Sequence, residues 1–356
     1  MQAVLQRCYG SPEVLTLEEI AKPTPADNEV LVRVHAAAVN PLDWHSVAGW
    51  PYIMRLGSGV GSPNDPSTGV DFAGTVESVG KQVTRFKPGD EVFGGRGGAF
   101  AEYVVVREDR AIALKPTNLT FDQAAAIPLA AVTALQALRN QGHIQAGQKV
   151  LINGASGGVG TFAVQIAKSL GAEVTGVCST RNVDLVRSLG ADHVVDYKEE
   201  DFTTSDRRYA VIIDNVGNHS PLALRQVLEP NGIVVIVGAP KRGPWIGMLG
   251  GVIKGMVLSR LVDEQFVFFV AHLNPDDLTF LATLASEGKM TPVLDRIFTL
   301  PEVPAAIEYL AGWHARGKVV VRVPPDLTHS QNLKPTPNVV SNVFNESSKR
   351  SMTLSR

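Results

Sequence analysis

The chain has 356 residues, 44% of them hydrophobic and 19% charged, enough to bury a large core and to form two domains. Its net charge of −2, with no basic block, offers nothing to a nucleic-acid backbone. Two cysteines, Cys8 and Cys178, supply neither a disulfide framework nor a zinc cluster, and they fit a reducing compartment such as the cytoplasm.

Met1-Gln2-Ala3-Val4-Leu5 lacks the charged start and long apolar core of a signal peptide. The first third reads as β-rich. Val30 to His35 is a predicted strand, followed by the loop Asn40-Pro41-Leu42-Asp43. Gly74 to Val79 is another, and Pro88-Gly89-Asp90 is a turn before Glu91-Val92-Phe93. Phe100 to Val106 is strand-like again. From Phe121 the period changes, and Ala124 to Leu138 reads as one Ala- and Leu-rich helix.

The stretch Gln148 to Gly160 is an apolar run that ends in a glycine-dense turn and opens an apolar helix at Phe162. Strand, turn and helix in that order make a dinucleotide fingerprint, with Ala155 in place of its first glycine. Gly157 lets the backbone approach a pyrophosphate, and Gly160 lets the helix pack tightly on the strand. The helix N-terminus offers free N–H groups to the phosphates. Further strands are expected at Val174–Cys178, His193–Asp196, Val211–Asp214 and Ile233–Val237, with helices between several of them. That alternation implies a doubly wound parallel sheet.

The second strand runs into Cys178-Ser179-Thr180-Arg181-Asn182, with no acid before Asp184. An NAD site places a carboxylate there for the ribose 2′-hydroxyl. Hydroxyls and a guanidinium suit a 2′-phosphate instead, so NADPH is the expected cofactor. Ser179 and Thr180 also read as caps for a helix that starts near Asn182. Asn215, after the fourth strand, is expected at the ligand side of the sheet. Charges interrupt the apolar region Gly243 to Ala271, so no window there reaches the ~20 residues of a membrane span. Helices follow at Leu278–Ser286 and Val303–Ala311, then a strand at Lys318–Val323. The segment 325–356, rich in Pro, Asn, Ser and Thr, reads as a disordered tail.

Several ordered motifs now stand together: Val39 to Asp43, Gly69 to Gly74, Lys87 to Val92, Ala155 to Gly160, Leu189 to Asp192, Asp214 to Gly217, and His314 to Lys318. With them the chain resembles the zinc-free branch of the medium-chain dehydrogenase/reductase superfamily. It is most similar to the quinone oxidoreductase and reticulon-4-interacting-protein-like group, over about Met1 to Val323. The resemblance implies a GroES-like, β-rich catalytic domain, residues 1–124 and 290–324, split around a Rossmann NADP-binding domain, residues 125–289. It implies hydride transfer from NADPH to a quinone or an α,β-unsaturated carbonyl, and a homodimer formed through the edge of the Rossmann sheet. A trans-acting enoyl reductase, or a cofactor-binding protein acting mainly through partners, remain the other readings.

Where the zinc-dependent branch carries ligands, this chain has Asn40 and Val70-Asp71. No thiolate joins His45 and Asp71, so no metal is expected. By the resemblance Asn40 sits near the nicotinamide and acceptor, donating to the acceptor oxygen or orienting the ribose; otherwise it supports the Pro41 turn. Tyr52, in the loop from Ala48 to Pro66, is a candidate proton donor. The resemblance carries phosphate contacts to Ser156, Gly158 and Val159, beside Gly157, and 2′-phosphate contacts to Ser179, Arg181 and Tyr197. Phe268 and Phe269 wall the nicotinamide pocket or belong to the sheet core. His314, Ala315 and Arg316 fold back over the cofactor, although Trp313 replaces the glycine usual before them.

Overall fold

A short continuous apolar run flanked by turns is sheltered on both faces when it lies in a parallel sheet with helices on each side. Val150, Leu151 and Ile152 are such a run, and all are fully buried. In the computed structural model, which describes residues 1–238, 264–312 and 315–324, they sit at the centre of a six-stranded sheet. Its order is His193–Asp196, Glu173–Cys178, Lys149–Asn153, Tyr209–Asp214, Leu228–Ile236, Gln265–Phe268, and every pairing is parallel. Numbered along the chain, that order is 3-2-1-4-5-6. The order reverses between Lys149–Asn153 and Tyr209–Asp214, which opens the ligand crevice at their carboxyl ends. The sixth strand, Gln265–Phe268, makes Phe268 part of the sheet, one of the two places the sequence left open for it.

A second sheet of seven strands is mostly antiparallel. Its path runs Leu294–Thr299, Lys318–Arg322, Glu29–Val39, Asp71–Val79, Glu91–Gly95, Ile112–Leu114, and Tyr103–Arg107 also pairs with Glu29–Val39. Val319 pairs with Val39, so the C-terminal strand delivers Lys318 to the position beside Asn40. Residues 278 positions apart in the chain thereby meet at the fingerprint turn. Met1–Val323 forms one compact unit.

Two local expectations are corrected. The predicted loop Asn40–Asp43 is the start of a helix, Pro41–Ala48, with Asn40 at its N-cap. Pro41 at the first helical position has no N–H to lose there, and the Asp43 carboxylate accepts the Asn40 N–H at 2.7 Å. The single helix expected over Ala124–Leu138 is two, Phe121–Ala125 and Pro128–Gln136. Pro128 cannot donate to the preceding turn, so the first helix stops and a second begins on it. Among the described residues no helix is long and apolar enough to cross a membrane. The proposed tail, 325–356, and most of the apolar region Gly243 to Ala271 lie outside the described residues.

Candidate functional site

The fingerprint turn leaves Asn153 with Gly154 in the left-handed region at φ +77°. The N–H groups of Gly154 and Ala155 both donate to the Val177 carbonyl, at 3.1 and 2.9 Å, which ties the turn to the second strand. A Cβ on Gly160 would fall 2.1 Å from the Gly154 carbonyl oxygen. Gly160 is thus required by the turn itself, where the sequence reading assigned it to helix–strand packing. A Cβ on Gly157 would meet only the Gly154 oxygen, at 3.5 Å, so the protein leaves space over that residue. The helix Gly158–Ser169 starts there, and its first N–H groups, from Gly158 and Val159 onward, have no intrahelical acceptor. Open space above such an N-terminus fits a phosphate.

Beside it lies the loop after the second strand. Asn182, 5% exposed, donates one amide hydrogen to Ser156 Oγ at 2.9 Å and the other to Ser179 Oγ at 3.2 Å. Tyr197 is half-exposed, and its backbone N–H is held by the Cys178 carbonyl at 3.0 Å. An acid unforeseen from sequence stands here too. Asp196 pairs with Cys178 across the strands, and hydrogen bonds from the Thr180 hydroxyl and the Lys198 N–H hold its carboxyl below the usual range. Arg181 lies near enough to Tyr309 for its charge to act on that hydroxyl.

The C-terminal motif returns over the same turn. The Gly317 N–H donates to the Ser156 carbonyl at 2.9 Å, and the exposed Arg316 is anchored by its N–H to Asp295 at 3.1 Å. Ala315 precedes it, half-buried; His314 and Trp313 lie outside the described residues. Across the crevice, Asn215 donates to the Asn153 carbonyl at 2.9 Å, while its own Oδ1 is buried with no partner among the described residues. An unpaired buried acceptor at the switch point fits a ligand hydroxyl or amide. Phe269 is partly buried against the main core.

Asn40 is the centre of a buried network that the sequence did not reveal. Its amide nitrogen donates to Asp71 at 2.9 Å and to the Ala38 carbonyl at 3.3 Å, and its oxygen accepts from Lys318 at 2.5 Å. Lys318 also reaches the Val39 carbonyl at 3.2 Å and lies 3.5 Å from Asp71. The second Asp71 oxygen accepts the Leu129 N–H at 3.0 Å, a donor presented by the helix that Pro128 begins. Burial pushes the Asp71 carboxyl up and the Lys318 ammonium down, and the charge of each opposes the shift of the other. Burial likewise pushes Asp43 up to about 7. With both amide hydrogens used inside the protein, Asn40 has none left for an acceptor oxygen. Its place here is to hold Lys318 and Asp71. The one signal was a lysine opening an otherwise apolar strand, Lys318-Val319-Val320-Val321.

Tyr52 lies in the short turn Tyr52–Met54, edge-on to Trp50 and beneath the Arg55 guanidinium. His45 donates from Nδ1 to the Trp50 carbonyl oxygen at 3.1 Å, within the same aromatic group as Trp44.

Two family profiles match the chain: an alcohol dehydrogenase GroES-like domain over residues 26–116 and a zinc-binding dehydrogenase over residues 189–321. A mitochondrial NAD(P)H oxidoreductase RTN4IP1 of Bos taurus is 35% identical, across 88% of this chain and 87% of its own. A 2-methylene-furan-3-one reductase of Solanum lycopersicum is 35% identical, across 89% of this chain and 78% of its own. The solved quinone oxidoreductase of Coxiella burnetii superposes with a TM-score of 0.78 at 34% identity, covering 91% of this chain and 99% of that one. The donors around Asn40 do not fit a catalytic zinc, which needs three ligands of Cys, His or carboxylate type. Val70 has no ligand atom, and Asp71 is committed to Lys318, Asn40 and Leu129.

Proposed function

Because the chain belongs to the quinone oxidoreductase-like group of the medium-chain dehydrogenase/reductase superfamily, we infer that it is an NADPH-dependent oxidoreductase. It delivers hydride, without a metal, to a quinone or an α,β-unsaturated carbonyl. The relatives named for those two acceptor classes support the substrate range. The division of labour that goes with this reading gives residues 1–124 and 290–324 to the catalytic part and 125–289 to the nucleotide-binding part.

One observation carries the choice of NADPH. Ser179 stands at the carboxyl end of the second strand, bonded through Asn182 to Ser156 of the fingerprint, where an NAD site places a carboxylate. Asp196, the acid that ends the third strand beside Cys178, is occupied by Thr180 and Lys198. NADPH, when bound, supplies the hydride. Gly158 and Val159 hold its pyrophosphate on the helix N-terminus, and Ser179, Arg181 and Tyr197 hold the 2′-phosphate. Ala315 and Arg316, of the His314 to Arg316 motif, fold back over the cofactor, while Asn215 borders the cleft and Phe269 walls the nicotinamide. Asn40 positions Lys318 and Asp71 under the turn, and Tyr52 is the candidate proton donor.

A hydrogen bond to a charged group contributes about 1.5–3 kcal/mol. Arg181→Ala is therefore expected to weaken NADPH binding by roughly ten- to hundred-fold, at about 1.4 kcal/mol per factor of ten. NADH, with no 2′-phosphate, should barely change. Titrating both cofactors against wild type and variant gives four affinities. A wild type that prefers NADH, or a variant that weakens both equally, overturns the assignment. NADPH consumption against graded enones and quinones tests the acceptor.

A second reading, a trans-acting enoyl reductase, is favoured by a cavity of ≈ 480 Å³ on the β-rich side lined by Arg96, Arg110 and Glu29, together with Arg107, which is itself paired with Asp109 at 2.7 Å. Such a cavity suits the phosphate of a carrier-bound substrate. Arg110→Glu should then slow carrier-bound enones while leaving free enones unchanged.

A further inference from the structure

Asn182 was read from sequence only as the start of a helix, yet it joins the two elements that define the cofactor site. Its side chain is 5% exposed, and its two amide hydrogens go to two different hydroxyls, Ser156 Oγ at 2.9 Å and Ser179 Oγ at 3.2 Å. Its backbone N–H is fixed as well, donating to the Ser179 carbonyl at 2.8 Å. Its Oδ1, in contrast, is buried with no partner among the described residues.

The arrangement has a direction. A serine hydroxyl has one hydrogen to give and two lone pairs to receive. A hydroxyl that receives the Asn182 hydrogen has its own hydrogen free for another acceptor. Turning the amide over would reverse this and would bury two hydrogens without an acceptor in place of one oxygen without a donor. Unpaired buried carbonyl oxygens are the better tolerated of the two. The observed orientation therefore leaves Ser156 and Ser179 both able to donate, one beside the helix N-terminus and one beside the second strand. Donors, and not acceptors, are what a dianionic phosphate ester requires.

We propose that Asn182 is a specificity-determining positioning residue: it fixes the Ser179 hydroxyl as a donor to the 2′-phosphate, with the Ser156 hydroxyl as a donor at the fingerprint beside it, and so tunes the site for the 2′-phosphate of NADPH over the 2′-hydroxyl of NADH. This rests on the reading of the Ser179 loop as the 2′-phosphate site. Removing the amide frees both hydroxyls to rotate. An ionised aspartate goes further, because it accepts from both serines, draws their hydrogens inward and leaves lone pairs facing the phosphate.

The test measures dissociation constants of NADPH and NADH for wild type, Asn182→Ala and Asn182→Asp, with thermal midpoints to identify variants that do not fold. Asn182→Ala is expected to weaken NADPH about ten-fold, within the range of a charge-assisted hydrogen bond, and NADH several-fold less. Asn182→Asp is expected to weaken NADPH about hundred-fold and to bring the two cofactors near parity, the second figure including repulsion by the new charge. A pH readout separates hydroxyl orientation from a merely structural role. Protonating the aspartate restores a donor, so the NADP⁺ affinity of Asn182→Asp should recover toward wild type as pH falls, relative to wild type at the same pH. If wild type shows no preference for NADPH, the phosphate-site reading fails and this inference with it. If wild type prefers NADPH but both variants keep its NADPH-to-NADH ratio, or Asn182→Asp shows no recovery at low pH, the role of Asn182 alone is overturned.

Discussion

Asp43 is a carboxylic acid placed where water cannot reach it, 5% exposed beneath the N-terminus of the helix it helps to begin. Burial is the main reason its carboxyl is pushed up to about 7; the Asn40 N–H and the Lys318 charge oppose this, and the Asp71 charge adds to it. Between the ordinary 3.8 and about 7 the folded protein keeps a proton that the unfolded chain has lost. The folded state then binds more protons than the unfolded one, so this group's contribution falls as pH rises through that window and is flat above it. The slope approaches about 1.4 kcal/mol per pH unit. Asp43→Asn removes it, and an amide oxygen can still accept the Asn40 N–H. The stability of the variant relative to wild type is expected to improve steadily between about pH 5 and 7 in denaturant titrations, since other titrating groups cancel in the difference. Parallel stability curves for the two proteins would show that Asp43 is ionised throughout. None of this was legible in the sequence. Periodicity reports which positions are apolar, and it says nothing of which distant polar side chains will be sealed together.

At the scale of elements, the parallel strands were legible because each is a short β-branched run bounded by glycine or a polar turn, as in Lys149–Asn153 and Tyr209–Asp214. The breaks were harder. Pro128 interrupts a stretch whose Ala and Leu content is uniformly helical, and composition outvoted one residue. Gln265–Phe268 is only four residues long, below the length at which alternation is informative. Three elements meet at the ionic network: Asp71 opens one strand, Asn40 follows a second, and Lys318 opens a third. Removing one member of a buried pair strands the other charge, which costs about 3–5 kcal/mol. Lys318→Met is therefore expected to lower stability by about that amount, with the fingerprint turn loosened through Gly317 and Ser156. Adding Asp71→Asn should recover more than about 1 kcal/mol, because the stranded carboxylate is gone. Strict additivity of the two substitutions in a double-mutant cycle would mean that Lys318 and Asp71 do not act on each other.

At the scale of the whole molecule, the Rossmann sheet is asymmetric in how its edges are finished. At one end stands His193–Asp196, followed by the Asp196-Tyr197 turn, which is tied to the end of the second strand through Cys178. At the other end Gln265–Phe268 pairs, among the described residues, with Leu228–Ile236 alone, and Val270 just beyond it is 82% exposed. An unpaired edge next to an exposed β-branched residue is a template for a second chain, and an isologous contact made there closes after two copies. The expected state is thus a homodimer whose two sheets run on into each other, although most of the apolar region Gly243 to Ala271 lies outside the described residues. Because Val270 makes little contact within its own chain, Val270→Asp should leave the fold and its thermal midpoint nearly unchanged. At the interface it would place two carboxylates close together across a two-fold axis, a repulsion with no compensating partner. Sedimentation equilibrium at micromolar concentration is expected to give twice the chain mass for wild type and a shift toward the single chain for Val270→Asp. A wild type of single-chain mass would show that this edge is left open in solution. A variant that stays dimeric would place the interface elsewhere on the molecule.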